Sequence, residues 1–263
     1  MSLNQAIPNF SNLNVWIIGA SSGIGEACAH WFAKSGANLV VSARRTESLT
    51  QLCQKIQVEH LQTQVRSVSL DVTSEQSAQN ALAEVFCEWE KIDILLFVSG
   101  VYTPVRADHF DLHVTQQMID TNLMGPMRMV SLLMPQFLKQ GFGHIALVGS
   151  VAGYSGLPKS LVYGPTKAAL LNFAEALYYD LKPHGVNVHI ISPGFVQTPA
   201  TAGNDFKMPG LITAQQAAEE IGTGLRLGEF DIHFPKAFSG FLKFLRILPY
   251  PIYFWIIKTF VKI

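Results

Sequence analysis

Short, mostly apolar runs alternate along this chain with longer stretches in which apolar residues recur at helical spacing. The runs VWIIGA (15–20), ANLVVSA (37–43), VRSVSL (65–70), IDILLFVSG (92–100), HIALVGS (144–150) and NVHIIS (187–192) read as strands, and FDIHF (230–234) as a short one near the end. Helical stretches lie between them at 23–36, closing on a glycine, then 46–60 and 74–90, where Ser74 is placed as an N-cap. Three more follow: a long region near 112–139, then 160–182 and 214–227. A strand with one wet face alternates apolar and polar residues. These runs mostly do not, so both faces are buried. With right-handed crossovers the pattern predicts a single-domain α/β fold, a Rossmann-like doubly wound parallel sheet of about seven strands with helices on both faces.

The pattern changes after residue 235. No acidic residue follows Asp231, while Lys236, Lys243, Arg246, Lys258 and Lys262 do, among many aromatic and aliphatic residues. The chain therefore divides into a domain over 1–235 and an amphipathic helical tail over 236–263. Charges and the two prolines of PYP (249–251) interrupt the tail, which argues against a transmembrane span and for two short helices broken there. Two readings fit it: a membrane-interface segment, or an arm folded over a substrate pocket or a partner subunit.

Composition narrows the partners. Nineteen basic residues balance nineteen acidic ones, so there is no global basic footprint for nucleic acid. Cys28, Cys53 and Cys87 are far apart and fit neither a disulfide framework nor a zinc site. With no basic-then-apolar leader at the N-terminus, a reducing cytoplasm is the expected setting, peripheral at a membrane if the tail docks there. His109 and His113 in DHFDLH stand four apart, but a tetrahedral metal needs further ligands that the spacing does not supply. The segment reads as the entry to the long helix, and no metal is expected.

The candidate chemistry lies at the strand ends. GASSGIG puts Gly19, Gly23 and Gly25 between the first strand and first helix, where backbone amides and a helix N-terminus favour a pyrophosphate. At the end of the second strand stands SARR. A carboxylate there would bond ribose hydroxyls, whereas Arg44 suits a 2′-phosphate and points to NADP(H); Arg45 fits better as a solvated neighbour. Tyr163 and Lys167 are four apart on one helix face, and an ammonium beside a phenol stabilises the phenolate. Ser150 closes the fifth strand, at the carboxyl edge where ligands bind. Asn122 sits in the long helix beside Gly125 and Pro126, which are placed to distort it.

With these residues in view, positions 13–235 resemble the short-chain dehydrogenase/reductase family. GASSGIG is similar to its cofactor turn, which implies that Ser21, Ser22 and Ile24 join the glycines. LDVT is similar to the stretch that contacts adenine, implying roles for Asp71 and Val72, and Gly100 falls beside the cofactor crevice. SPGFVQTP is similar to the nicotinamide loop and implies Pro193, Gly194, Val196 and Thr198 near the carboxamide. Asn122, Ser150, Tyr163 and Lys167 match the catalytic tetrad in order and spacing. The resemblance implies that Tyr163 transfers the proton and Ser150 holds the substrate oxygen. It also implies that Lys167 binds nicotinamide ribose and lowers the Tyr163 pKa, and that Asn122 keeps a water behind the lysine.

Two positions depart from the family. Ile18 replaces a usual threonine and Phe97-Val98-Ser99-Gly100 an Asn-Asn-Ala-Gly stretch, a coupled exchange of a polar bridge for apolar packing. The expected protein is an NADP(H)-dependent oxidoreductase interconverting a carbonyl and an alcohol on a small, apolar substrate. Its alternative is a catalytically weak nucleotide-sensing or membrane-associated binding protein on the same fold. Leu170, Leu171, Phe173, Leu177 and Tyr178 spread around helix 160–182, and with the family's two-fold pairing of this helix they imply a homodimer.

Overall fold

The structure, a computed structural model, describes residues 2–204 and 207–260. Lys262 and the rest of 261–263 lie outside the described residues. The chain runs β1 (Asn14–Ile18), α1 (Gly23–Lys34), β2 (Asn38–Ala43), α2 (Thr46–Glu59), β3 (Val65–Ser69), α3 (Glu75–Glu88) and β4 (Ile94–Phe97). It continues through α4 (Leu112–Ile119), α5 (Gly125–Gln140), β5 (Gly143–Val148), α6 (Tyr163–Leu181) and β6 (Val186–Pro193). Last come β7 (Val196–Gln197), β8 (Ile212–Thr213), α7 (Ala214–Leu227), β9 (Asp231–Phe234), α8 (Lys236–Arg246) and α9 (Tyr250–Phe260).

Seven strands form one sheet in the order β3-β2-β1-β4-β5-β6-β9, every neighbour parallel. The order reverses between β1 and β4, so the carboxyl ends of these strands flank a crevice. Along β1 and β2, Trp16, Ile18 and Val40 join the core on one face, and Val15, Ile17, Leu39 and Val41 that on the other. Burial on both faces is why the strands read as apolar runs.

The long helical region is interrupted. Asp111 opens α4 by accepting from the His113 and Val114 amides, which makes DHFDLH a helix entry. A π-helical segment, Asp120–Met124, then separates α4 from α5. Pro126 has no N–H to give the carbonyl of Asn122, so the α pattern cannot be kept there and the turn widens. As expected, the Ser74 side chain caps α3 by accepting from Ser77 N.

The tail forms two helices parted near Pro249, but it is not a detached arm. Leu242, Leu245, Tyr253 and Ile257 are buried in the core on the α5–α6 side of the sheet. Ser239, fully buried, bonds His233 Nδ1 at 2.7 Å, and Lys243 pairs with Asp231 at 2.5 Å. Helix α6 also differs from expectation. Leu170, Leu171 and Leu177 are buried within the single chain and Tyr178 packs on Phe230, so these residues leave no large apolar face for a partner.

Candidate active site

The turn between β1 and α1 is tied to β2 by Gly19 N and Ala20 N, which donate to Ser42 O at 2.7 and 3.2 Å. Gly19 has φ +96°, and a Cβ there would stand 2.5 Å from Ser99 N, so no other residue fits. Helix α1 begins at Gly23, and the Ser22 side chain makes no capping bond, leaving the first amides available to an anion. Gly19, Ser21, Ser22, Gly23 and Ile24 line a cleft of about 600 Å³ together with Arg44, Asp71, Val72, Gly100 and Thr198. Gly25 lies beneath the turn, against the Gly19 carbonyl.

The second arginine is solvated, as expected, and also borders the cleft. Arg45 places its Nη2 3.1 and 3.2 Å from the Ser21 and Ser22 hydroxyls. It is exposed, yet its guanidinium is anchored on the glycine turn. Its place next to Arg44 was the only signal available in the sequence. Asp71 accepts from Thr73 N at 2.9 Å and Thr73 Oγ1 at 2.7 Å. Partial burial works to raise its pKa, but these bonds and the charges of Arg44 and Arg128 outweigh it and hold the carboxyl below its ordinary value. Such a carboxylate stays an acceptor at neutral pH.

The four candidate catalytic residues converge from three segments: Ser150 after β5, Tyr163 and Lys167 on α6, and Asn122 in the π-helical segment. Ser150 follows β5 and opens a short 3₁₀ turn, Val151–Gly153, accepting from Ala152 N at 3.1 Å. That turn lies directly on α6: a Cβ at Gly153 would stand 2.7 Å from the Lys167 carbonyl carbon. Tyr163, the first residue of α6, is thereby brought to the Ser150 hydroxyl, with which it hydrogen-bonds. Burial raises the Tyr163 pKa, the Ser150 bond opposes the rise and Tyr102 adds to it. The net direction is opposite to that expected from Lys167 alone.

Lys167, one turn on and 3 % exposed, donates to Val148 O at 2.9 Å and stands 5.7 Å from the Tyr163 ring centre. Burial pushes its pKa down to about 8. Asn122, in the π-helical segment, is fully buried, and both ends of its amide bond the backbone of Val101 at 2.8 Å. The side-chain amide is thus committed to tying this segment to Val101. Gly100 joins the groups: a Cβ there would lie 3.3 Å from Asn122 Oδ1 and 3.5 Å from Lys167 Nζ.

The remaining predicted positions fall in two sets. Thr198 reaches the cleft, while Pro193, Gly194 and Val196 do not line it. Pro193 pairs with Phe234, Gly194 N donates to Phe234 O at 2.7 Å, and Val196 is buried. Thr121 and Tyr102 were not foreseen. Thr121 lines the cleft, and Tyr102 packs edge-on against Tyr163 with ring centres 5.1 Å apart. The departures at β1 and β4 are coupled: Ile18 and Phe97 are paired and buried, and Val98 N and Ser99 N both donate to Ile18 O, at 2.8 and 2.9 Å.

A turn that only glycine fits, an uncapped helix start, an ionised Asp71 and two guanidinium groups on one long cleft suit a dinucleotide. The comparisons agree. A family model for short chain dehydrogenase matches residues 13–208. An uncharacterized oxidoreductase of Myxococcus xanthus is 32% identical over 237 residues, covering 90% of this chain and 93% of that one. A short-chain dehydrogenase from Sphingobium yanoikuyae in complex with NADPH superposes with a TM-score of 0.79 at 26% identity, covering 87% of this chain and 92% of that one. A short-chain dehydrogenase/reductase from Burkholderia phymatum in complex with NAD, 21% identical with a TM-score of 0.76, covers 90% of this chain and 94% of that one and shares the fold.

Proposed function

Because this chain belongs to the short-chain dehydrogenase family, and so is an oxidoreductase with a nicotinamide cofactor, we propose that it interconverts a carbonyl and an alcohol with NADP(H), using Tyr163 as proton donor and acceptor. The observation that carries this reading is the Ser150–Tyr163 hydroxyl pair, with Lys167 one turn away beside Gly100 on the cleft. The bound nicotinamide supplies hydride chemistry. Tyr163 gives its phenolic proton to the carbonyl oxygen in reduction and recovers one in oxidation, while Ser150 holds that oxygen by a hydrogen bond. Burial raises the Tyr163 pKa, so the phenol is held as a proton donor. Lys167, with a pKa of about 8, keeps most of its positive charge there and compensates phenolate as it forms. Asn122 keeps Val101 and Gly100 in place beside the lysine.

The preference for NADP(H) rests on Arg44 and Arg45 at the end of β2, where guanidinium groups rather than a carboxylate border the cleft. An apolar substrate suits the surroundings of Tyr163, which packs with Val101, Val105, Met118 and Val162. A panel of apolar ketones and aldehydes, followed by NADPH absorbance, tests the reading. Tyr163→Phe should lower turnover by about 10²–10⁴-fold and leave NADPH binding nearly intact, because only a hydroxyl is removed. A near-normal rate for that variant would exclude Tyr163 as the proton donor. NADPH binding without turnover of any substrate would favour a nucleotide sensor.

A further inference from the structure

The tail has two faces with different fates. Its inner residues, Leu242, Leu245, Tyr253 and Ile257, are buried in the core. Its outer residues Phe241, Phe244, Ile247, Tyr250, Phe254 and Trp255 are each at least 44 % exposed. Six large apolar or aromatic side chains on two consecutive short helices are more than scattered surface exposure, and such a patch marks an interaction surface.

Charge identifies what it meets. Lys236 is paired with Glu229 and Lys243 with Asp231, on the side facing the domain. Arg246 and Lys258, both exposed, have no acidic partner among the described residues, and no Asp or Glu follows Asp231 in the chain. Two copies joined through this face about a two-fold axis would bring the same unpaired cations together with no acid in either tail to meet them. An anionic lipid surface supplies that charge. Aromatic residues beside cations suit the headgroup boundary, where one end of the ring is apolar and the other wet. No helix among the described residues is long and apolar enough to cross a bilayer. Helices of 11 residues each, already anchored by their inner faces, are placed to lie along a surface.

We propose that α8 and α9 dock the protein on anionic bilayers, inserting Phe244, Phe254 and Trp255 into the headgroup region while Arg246 and Lys258 meet lipid phosphates. The docked element is continuous with the catalytic segment. The Tyr253 hydroxyl donates to the carbonyl of Gly156, which lies between Ser150 and Tyr163. The proposal does not depend on the reaction assigned to the site.

The test uses the full chain and vesicles of phosphatidylcholine with or without phosphatidylglycerol. The chain should co-sediment with the phosphatidylglycerol vesicles, less so in high salt and little with phosphatidylcholine alone. Of the four tryptophans, Trp255 is the exposed one, so a blue shift of emission on mixing reports its burial. Reversing Arg246 and Lys258 to Glu should weaken binding by roughly tenfold or more. Phe254→Glu with Trp255→Glu should abolish it while leaving the melting temperature and NADPH affinity near those of the unmodified chain, since these residues face outward. A chain that stays in the supernatant with unchanged emission overturns the proposal. So does a non-binding chain that is dimeric and becomes monomeric in the Phe254/Trp255 variant, since the face would then be covered by a second copy.

Discussion

Replacing Arg44 and Arg45 by Ala, singly and together, should shift cofactor preference in graded steps. Both side chains border the cleft beyond β2, and Arg45 is already held 3.1 and 3.2 Å from the Ser21 and Ser22 hydroxyls. A 2′-phosphate at the end of β2 therefore meets a guanidinium whose ordering cost has been met in part by the protein's own contacts. A hydrogen bond to a charged group contributes about 1.5–3 kcal/mol, and exposure to solvent and salt moves the figure toward ~1 kcal/mol. Each lost guanidinium should then cost NADPH about 1–2 kcal/mol, roughly five- to thirtyfold in Kd, and the double variant about 2–4 kcal/mol. NADH has no 2′-phosphate and should change by less than about 0.5 kcal/mol. Arg44→Asp exchanges attraction for repulsion and should exceed Arg44→Ala. Both dissociation constants are measured by fluorescence titration, and the quantity that decides is their ratio. A double variant with the unmodified ratio, or an unmodified chain that binds NADH as tightly as NADPH, refutes the reasoning.

Neighbouring tail residues should differ sharply. Leu245 is 1 % exposed and Phe244 53 %, so Leu245→Ala should cost about 2–5 kcal/mol and lower the melting temperature by several degrees, while Phe244→Ala stays within about 0.5 kcal/mol; equal shifts would mean the tail is not packed as described. The buried His144–His189 pair predicts acid sensitivity. His189 Nδ1 faces Glu229 O at 2.6 Å, so its Nε2 accepts from His144 Nδ1 at 2.9 Å. Burial, with mutual repulsion at His189, holds both pKa values below the ordinary 6.5, that of His144 at about 4. The unfolded chain thus binds more protons below that ordinary value, and stability present above about pH 6.5 should fall by up to ~2.7 kcal/mol per pH unit as pH drops toward 4. A melting temperature unchanged over that window would contradict it. The homodimer, which now rests on resemblance alone, predicts a two-chain mass in light scattering, and a one-chain mass at micromolar concentration removes it.

Much of the site was legible because family chemistry demands particular residues at fixed spacings. Gly19 and Gly23 stand where positive φ and a close backbone approach exclude other side chains. Tyr163 and Lys167 needed only the period of a helix to be placed on one face. The sheet was legible for a similar reason, since strands buried on both faces leave a continuous apolar signal. Boundaries drifted where tertiary contacts end an element: the expected strand 92–100 stops at Phe97, where Val98 and Ser99 both turn their amides to Ile18 O.

The sequence by itself determined the order of elements, the glycine turn and the spacing that singles out Asn122, Ser150, Tyr163 and Lys167 as candidates, all properties of local pattern. Four matters were decided only in three dimensions, because each depends on which surfaces meet. Arg45 became part of the cleft through two serine hydroxyls more than twenty positions away. The Asn122 amide was spent on Val101, across 21 positions. Burial outweighed charge at Tyr163, because the pKa of a phenol follows the water it loses as well as the ammonium it gains. The tail, an undivided run of apolar and basic residues in the sequence, was split by packing into a core face and an open face. Hydrophobicity drives burial without naming a partner, and only the tertiary structure determines how many of those side chains the domain can cover.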